Sequence, residues 1–324
     1  MSGELRPGWY AIARARDLRQ KPLRRWFNGL PLALWRSGAG VHAVWDHCPH
    51  RGARLSAGEV EDGQIACPYH GWRFDGTGRC TLMPALPDTQ SKVRAGALNA
   101  IERDGLIFVR WGEAGHPDLP PMMSRPWRMT LMSGEVETSI ADFAENILDT
   151  THTSRVHRGY LRHTKTRRLS ARVIASRDRA EVQLPQDATP SGLVGKLIGG
   201  PRYAITDRFR APSTAEVEYR EKGAQAFVIR FHLTPAQPGV IAAFALMAVP
   251  RTPLAGLKLM ALRIMLGRIF REDRVMLQAV SENRTLFGKS AVPSAPQDLL
   301  RPHIEAILRG ETLAPGESTQ EILV

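Results

Sequence analysis

Short apolar runs bounded by turn residues fill the first third of the chain. LPLALWR (Leu30–Arg36), VHAVWDH (Val41–His47), GQIACPYHGWRF (Gly63–Phe74) and GLIFVRW (Gly105–Trp111) predict a series of short strands. The Pro-rich stretch HPDLPPMMSRP (His116–Pro126) interrupts them and predicts a domain boundary near residue 118. Beyond it the period changes. Within ETSIADFAENILDTTHTSRVH (Glu137–His157), Ile140, Phe143, Ile147 and Leu148 recur at helical spacing, with Ser139 and Asp142 placed to cap the start. AEVEYR, AFVIRFHL and GVIAAFALMAVP then read as strands of an antiparallel sheet. Helical periodicity returns from about Leu254 through Phe287, followed by the Pro-rich AVPSAPQD and a last short helix. The pattern predicts an α+β chain: an all-β part over 1–118 and a mixed part over 119–324. All seven Trp residues lie at or before Trp127, so the two parts also differ in composition.

At 324 residues the chain accommodates two domains of ordinary size. Its 43% hydrophobic and 23% charged residues set it apart from disordered and fibrous proteins. The opening MSGELRPGWYAIAR has no apolar signal core, and the longest apolar run, Val240–Val249, is about half a membrane span. A cytoplasmic protein without a membrane span is expected. The net charge of +12 is spread along the chain, with clusters at Arg14–Arg25 and Arg162–Arg172 and no nucleic-acid-binding motif. It reads as solvated basic faces first, and second as a surface that draws in an acidic electron-transfer protein. No nucleic-acid partner is expected.

Candidate chemistry sharpens the picture. Only three cysteines are present, which argues against a disulfide framework. Cys48-x-His50 lies in WDHCPHRGARL and Cys67-x-x-His70 in ACPYHGWRFDGTG, sixteen residues apart. Each loop offers one thiolate and one imidazole, a donor set that suits structural zinc as well as iron. Cys80 has no partner in the pattern and reads as a small buried hydrophobe. Farther on, ENILDTTHTSRVH holds Asp149, His152 and His157. Two His plus a distant carboxylate is the ligand set of mononuclear non-heme iron with open positions. The step from His152 to His157 rotates roughly 140° on an ideal helix, so both can meet one ion only if the helix ends or bulges between them, near Thr153 and Ser154.

The two motifs, down to the CPHRGA and CPYHGW surroundings, resemble the Rieske non-heme iron oxygenases, and the order of the motifs resembles their large subunit. Within that family the EN-x-x-D-x-x-H-x-x-x-x-H form is most similar to the vanillate and dicamba O-demethylase branch. The resemblance implies an all-β Rieske domain followed by a helix-grip-like antiparallel sheet with helices. It implies that Cys48 and Cys67 hold one iron of a [2Fe–2S] cluster and His50 and His70 the other, with Gly52, Gly71 and Gly76 letting the loops turn and Trp72 as packing. It implies mononuclear Fe(II) held by His152, His157 and a late carboxylate in RIFREDRVMLQAV, Asp273 ahead of Glu272. Asp149 is implied as the bridge that carries an electron from His70 of one subunit to the next, in a homotrimer. Asn146, one turn before Asp149, matches the branch as a polar neighbour of the iron.

The activity so implied is that of a terminal monooxygenase. It would use O2 to hydroxylate or oxidatively demethylate a hydrophobic aromatic or alicyclic substrate. Alternatives are a cis-dihydroxylating dioxygenase and a Rieske electron carrier without oxygenase activity. No G-x-G-x-x-G follows a strand, so electrons would come from a separate NAD(P)H-dependent reductase or ferredoxin. The helix LAGLKLMALRIMLGRIF could line an apolar pocket, pack the core, or present an amphipathic surface.

Overall fold

The computed structural model describes residues 5–38, 40–112, 119, 127–158, 168–185, 204–288 and 295–323. The Pro-rich stretch 116–126 apart from Leu119, the part 162–167 of the second basic cluster, and 291–294 of AVPSAPQD lie outside the described residues. The chain forms two compact units. One comprises Pro7–Leu119 and Thr234–Pro238, the other Met1–Arg6, Pro120–Leu233 and Gly239–Val324. A single cut near residue 118 does not describe this partition, because a short piece from far along the chain joins the first unit. Hydrogen bonds hold it there: Asn28 and Gly29 donate their backbone N–H groups to Pro235 O and Ala236 O, each at 2.7 Å, and Thr234 Oγ1 donates to Ala11 O.

The first unit is all β. Three small antiparallel sheets are built from Gly8–Arg14, Leu106–Trp111 and Ala100–Arg103; from Leu23–Phe27, Leu30–Ser37, Gly40–Trp45 and Ala97–Leu98; and from Glu59–Glu61, Gln64–Ala66, Arg73–Phe74 and Cys80–Leu82. The hairpin joining Glu59–Glu61 to Gln64–Ala66 turns on Asp62 and Gly63, with φ of 51° and 76°. That pair of positive values matches the twist of the flanking strands, and the second of them leads directly into the loop that carries Cys67. Trp35, Phe74, Leu55 and Ile65 are fully buried beneath the two Cys/His loops, in one cluster with Cys48, Cys67 and Cys80.

The second unit is one eight-stranded antiparallel sheet with helices packed on it. Its order is Trp127–Glu137, Val240–Pro250, Ala224–Pro235, Thr214–Glu221, Ala204–Arg210, Arg179–Leu184, Arg168–Arg177 and Leu313–Leu323. Alternate residues such as Phe209, Val217, Phe231 and Met247 point into a core shared with helices α1 (Ile140–Leu148), α2 (Ala255–Phe287) and α3 (Arg301–Leu308). Among the described residues, no helix is long and apolar enough to cross a membrane.

Two elements depart from the sequence pattern. The expected terminal helix is present as α3, yet the chain then adds the strand Leu313–Leu323, paired with Arg168–Arg177. This strand lies at the sheet edge, is exposed apart from half-buried Leu313 and Gln320 and buried Ile322, and contains Pro315 and Gly316, so it carries no apolar alternation. The helix expected to end or bulge between His152 and His157 ends earlier, at Leu148.

Candidate metal centres

The two Cys/His loops of the first unit have one backbone design. Cys48 N–H donates to Ala53 O and Cys67 N–H to Trp72 O, both at 2.8 Å, five residues ahead in each case. Cys48 O accepts from Gly52 N–H at 2.8 Å and Cys67 O from Gly71 N–H at 3.0 Å, four residues ahead. Closing so tight a loop requires φ of 75° at Gly52 and 68° at Gly71, which glycine adopts without strain. Gly76 serves differently: a Cβ there would fall 2.1 Å from His42 Nδ1. The entry to the first loop is pinned by buried Asp46, which accepts from Ser56 N–H at 2.7 Å and pairs with Arg24 at 2.9 Å.

These loops bring His50 and His70 together, with ring centroids 4.5 Å apart. Trp72 stacks on His50 at 4.5 Å and 5°, fixing the imidazole plane. Cys48 and Cys67 are buried and not joined in a disulfide. Burial, with the neighbouring Cys67 thiol, pushes Cys48 up to about 11. A thiol so raised releases its proton to a metal far more readily than to water. His50 Nδ1 is buried without a hydrogen-bond partner among the described residues, as a nitrogen reserved for a metal is. Ligands of a tetrahedral zinc at ~2.0–2.3 Å would lie within about 4 Å of one another. Among the described residues the only group drawn that close, with all donor atoms within 4.8 Å, is a different one. The wider Cys2His2 set fits a two-iron cluster. Cys80 is buried in the core, its Sγ 3.6 Å from Leu82 O.

The closely drawn group is His152, His157 and Asp273, in the second unit. Helix α1 positions the first part of it. Ser139 caps the helix, accepting from Asp142 N–H at 3.0 Å, and Arg301 of α3 ties it down through Asp142 at 2.7 Å and Glu145 at 2.5 Å. At Asp149 the backbone leaves the helix (φ −81°, ψ 114°). The Asp149 carboxylate captures Thr151 N–H at 2.6 Å and Thr151 Oγ1 at 2.7 Å, a local turn that competes with helix continuation. One 3-10 turn follows, His152–Ser154. The irregularity required by the His152-to-His157 spacing is thus present, but its cause is Asp149 and it begins before His152. Asp149 also faces His152 Nδ1, at 3.3 Å.

Asp273, buried in α2, lies with Oδ1 at 2.8 Å from His157 Nε2 and 3.6 Å from His152 Nε2. Glu272, one position earlier, turns to the other side of the same imidazole. Its Oε2 is 2.9 Å from His157 Nδ1, and Arg268 donates to its Oε1 at 3.2 Å. Burial works against a charged His152, but hydrogen bonds to Asp149 and Asp273 outweigh it and hold the imidazole up at about 9. Burial likewise opposes the Asp273 carboxylate, and bonds to His152 and His157 bring it below the usual range. Asn146 donates to Asp273 Oδ1 at 3.3 Å, and its own Oδ1 is buried with no partner among the described residues. Two imidazoles and one carboxylate that converge within 4.8 Å suit a non-heme iron with open positions.

The group lines a cleft of about 740 Å³, mouth included, walled also by Val217, Phe227, Ile229 and Phe231 of the sheet and by Leu266 and Phe270 of α2. Helix α2 divides its apolar residues: Leu259 and Leu262 are core, Leu266 and Phe270 line the cleft, and Leu257, Met260 and Ile264 are exposed. Sequence reasoning did not single out Asp207, which is 2% exposed and lines the sheet side of the cleft. Its only signal is an acid at an inward-facing position between Ile205 and Phe209.

Two family models match the chain. Residues 8–94 match the Rieske [2Fe–2S] domain model, and 136–306 match the model of the vanillate O-demethylase oxygenase C-terminal domain. The chain is 33% identical over 209 residues to the dicamba O-demethylase oxygenase component of Stenotrophomonas maltophilia, a match covering 60% of each. It is 25% identical over 275 residues to the 3-ketosteroid-9-alpha-monooxygenase oxygenase component of Rhodococcus rhodochrous, covering 78% of this chain and 66% of that one. The match spans less than two thirds of the length of the first of these relatives. In fold it is similar to dicamba monooxygenase bound to 3,6-dichlorosalicylic acid, with a TM-score of 0.82 at 23% identity over 95% of this chain and 98% of that chain.

Proposed function

Because the chain belongs to the Rieske oxygenases that carry the vanillate O-demethylase type of C-terminal domain, we propose that it is a terminal oxygenase that hydroxylates or oxidatively demethylates a hydrophobic aromatic or alicyclic substrate. The observation that carries this reading is the convergence of His152, His157 and Asp273 in the lining of a largely apolar cleft. A pure electron carrier has no use for such a cleft.

In this reading Cys48, His50, Cys67 and His70 hold the [2Fe–2S] cluster, and His152, His157 and Asp273 hold Fe(II). When bound, the cluster supplies single electrons and the iron supplies the Lewis-acidic, redox-active position at which dioxygen is used. The chain's own residues do the rest. The cleft binds the substrate by its apolar surface and excludes water. Asp149 and Glu272 each accept from a histidine Nδ1–H and so leave the Nε2 atoms of His152 and His157 free to face the metal. Asn146 Oδ1 offers an acceptor beside the same position.

Electrons would come from a separate NAD(P)H-dependent reductase or ferredoxin. The net positive charge favours an acidic one. The reading includes a cytoplasmic homotrimer in which Asp149 of one copy receives the electron from His70 of the next. The test is iron content: purified protein reconstituted with iron and sulfide should hold about three irons per chain, two in the cluster and one apart. About two irons per chain with a complete cluster signal would make it a carrier.

A further inference from the structure

A second cavity, of about 730 Å³ with its open mouth included, adjoins the cleft. Ile147, Phe231, Phe270 and Asp273 line both. The two phenyl rings that divide them meet edge to face, with centroids 5.4 Å apart at 81°. The second cavity owes its volume to small residues. Ala243 and Ala245 of strand Val240–Pro250 form its floor, Gly134 of the edge strand stands opposite Ala243, and Gly267 of α2 forms its roof. A Cβ at Gly134 would meet nothing within 4 Å, and one at Gly267 only Met132 Cε, at 3.7 Å. Glycine weakens a helix or strand interior, and unfilled volume beside a core weakens it further. Larger side chains at these positions would close the gap and stabilise the unit, so the space reads as a binding volume.

The cavity also has charged lining. Arg271 and Arg274 line it, both exposed and neither paired with an acid among the described residues, together with exposed Glu135. Phe143, Ile147, Phe231, Phe270 and Leu277 give it apolar walls, and buried Asp273 is part of the same lining. We propose that the two cavities act as one elongated substrate site, with Phe270 as the movable divider. The substrate class that fits is an apolar molecule longer than one aromatic ring, with an anionic group at the end remote from His152 and His157, held by Arg271 and Arg274. This rests on the oxygenase reading of the same site.

The test uses the full iron-loaded chain and two probes: lithocholate, four fused rings with a carboxylate tail, and the single-ring 4-methoxybenzoate. Binding is read by calorimetry, and contact with the metal by the EPR signal of nitric oxide used as a reporter of the iron. Lithocholate is expected to bind at least tenfold tighter than 4-methoxybenzoate and to alter the reporter signal. Gly267→Leu, which fills the second cavity, should lower that affinity ratio at least tenfold with iron content retained, whereas Phe270→Ala should raise it. Arg271→Ala with Arg274→Ala should weaken lithocholate at least fivefold and leave its methyl ester within twofold. Failure of lithocholate to bind, or an unchanged ratio in Gly267→Leu, overturns the elongated site. Absence of the third iron, with lithocholate binding still sensitive to Gly267→Leu, would instead overturn the oxygenase reading and leave the cavity as a ligand site.

Discussion

Glu272 and His157 form a carboxylate–imidazole pair at 2.9 Å on the side of the ring turned away from Asp273. Consecutive residues of one helix thus grip the two nitrogens of one imidazole. With Nδ1–H donated to Glu272, only the Nε2 lone pair faces the metal position. Loss of such an orienting partner typically costs about 10–100-fold in metal affinity. Glu272→Ala is therefore expected to lose mononuclear iron to a chelator at that ratio while keeping its cluster spectrum. Glu272→Gln, which can still accept from Nδ1–H, should recover most of the loss. Equal iron retention in all three proteins would remove Glu272 from the site.

Cys48→Ser should abolish the [2Fe–2S] absorption and EPR signals and leave mononuclear iron bound, since the two donor sets occupy separate compact units. His70→Cys should instead keep a cluster and lower its reduction potential, because thiolate replaces a neutral imidazole. A potential that does not fall would contradict the assignment of His70.

Asp149→Asn preserves the side-chain shape and the acceptor for Thr151 N–H while removing the charge. Mononuclear iron content should stay near that of the parent, and substrate-triggered reoxidation of the reduced cluster should slow by about tenfold or more, the scale on which a metal ligand's hydrogen-bond partner acts. An undiminished reoxidation rate would take Asp149 out of the electron path.

The sheet of the second unit carries a cross-strand ladder of charge: Glu181 faces Arg208, Arg208 faces Glu216, and Glu216 faces Arg230. Burial opposes ionisation of Glu216, but Arg230 and Arg208 outweigh it and hold the carboxyl below its usual value; Arg208 does the same for Glu181. A depressed folded-state pKa contributes stability that is fully present above the unfolded-state value of about 4.5 and is lost as pH falls through the lower, folded one. Stability measured by denaturant should therefore drop steeply below about pH 5. Glu216→Gln should cost about 3 kcal/mol at neutral pH, by leaving buried arginines short of a partner, and should flatten that acid limb. An unchanged limb would place the acid sensitivity elsewhere.

Much of the metal chemistry was legible in the sequence because it depends on residue type at short spacing. Cys48-x-His50 and Cys67-x-x-His70 are local loops, and the structure closes them with local hydrogen bonds. His152 and His157 are also local, but where the helix ends depends on a side chain, Asp149, satisfying Thr151 N–H. Periodicity, which weighs apolar positions alone, carried the helix past Leu148. Asp273 came from resemblance; nothing in its spacing ties it to residues more than a hundred positions earlier. Glu272 and Asp273 were legible as a pair, while only the folded helix shows which faces His157 Nε2. The final strand escaped notice because an exposed edge needs no apolar alternation. The second cavity escaped for a related reason: it is made by Gly134, Ala243, Ala245 and Gly267, and small residues signal open space only once their neighbours are known.

The most direct test of the central claim is a single turnover. Chemically reduced, iron-loaded protein is exposed to ¹⁸O-labelled dioxygen with methoxy-aromatic, N-methyl and polycyclic candidates, and the products are read by mass and by formaldehyde release. The account predicts cluster oxidation accompanied by one labelled oxygen on the substrate, or by formaldehyde and a demethylated product, with both lost in His157→Ala. Two labelled oxygens in one product would make the protein a dihydroxylating dioxygenase, and cluster oxidation without product across the panel and in the presence of the third iron would contradict the oxygenase reading.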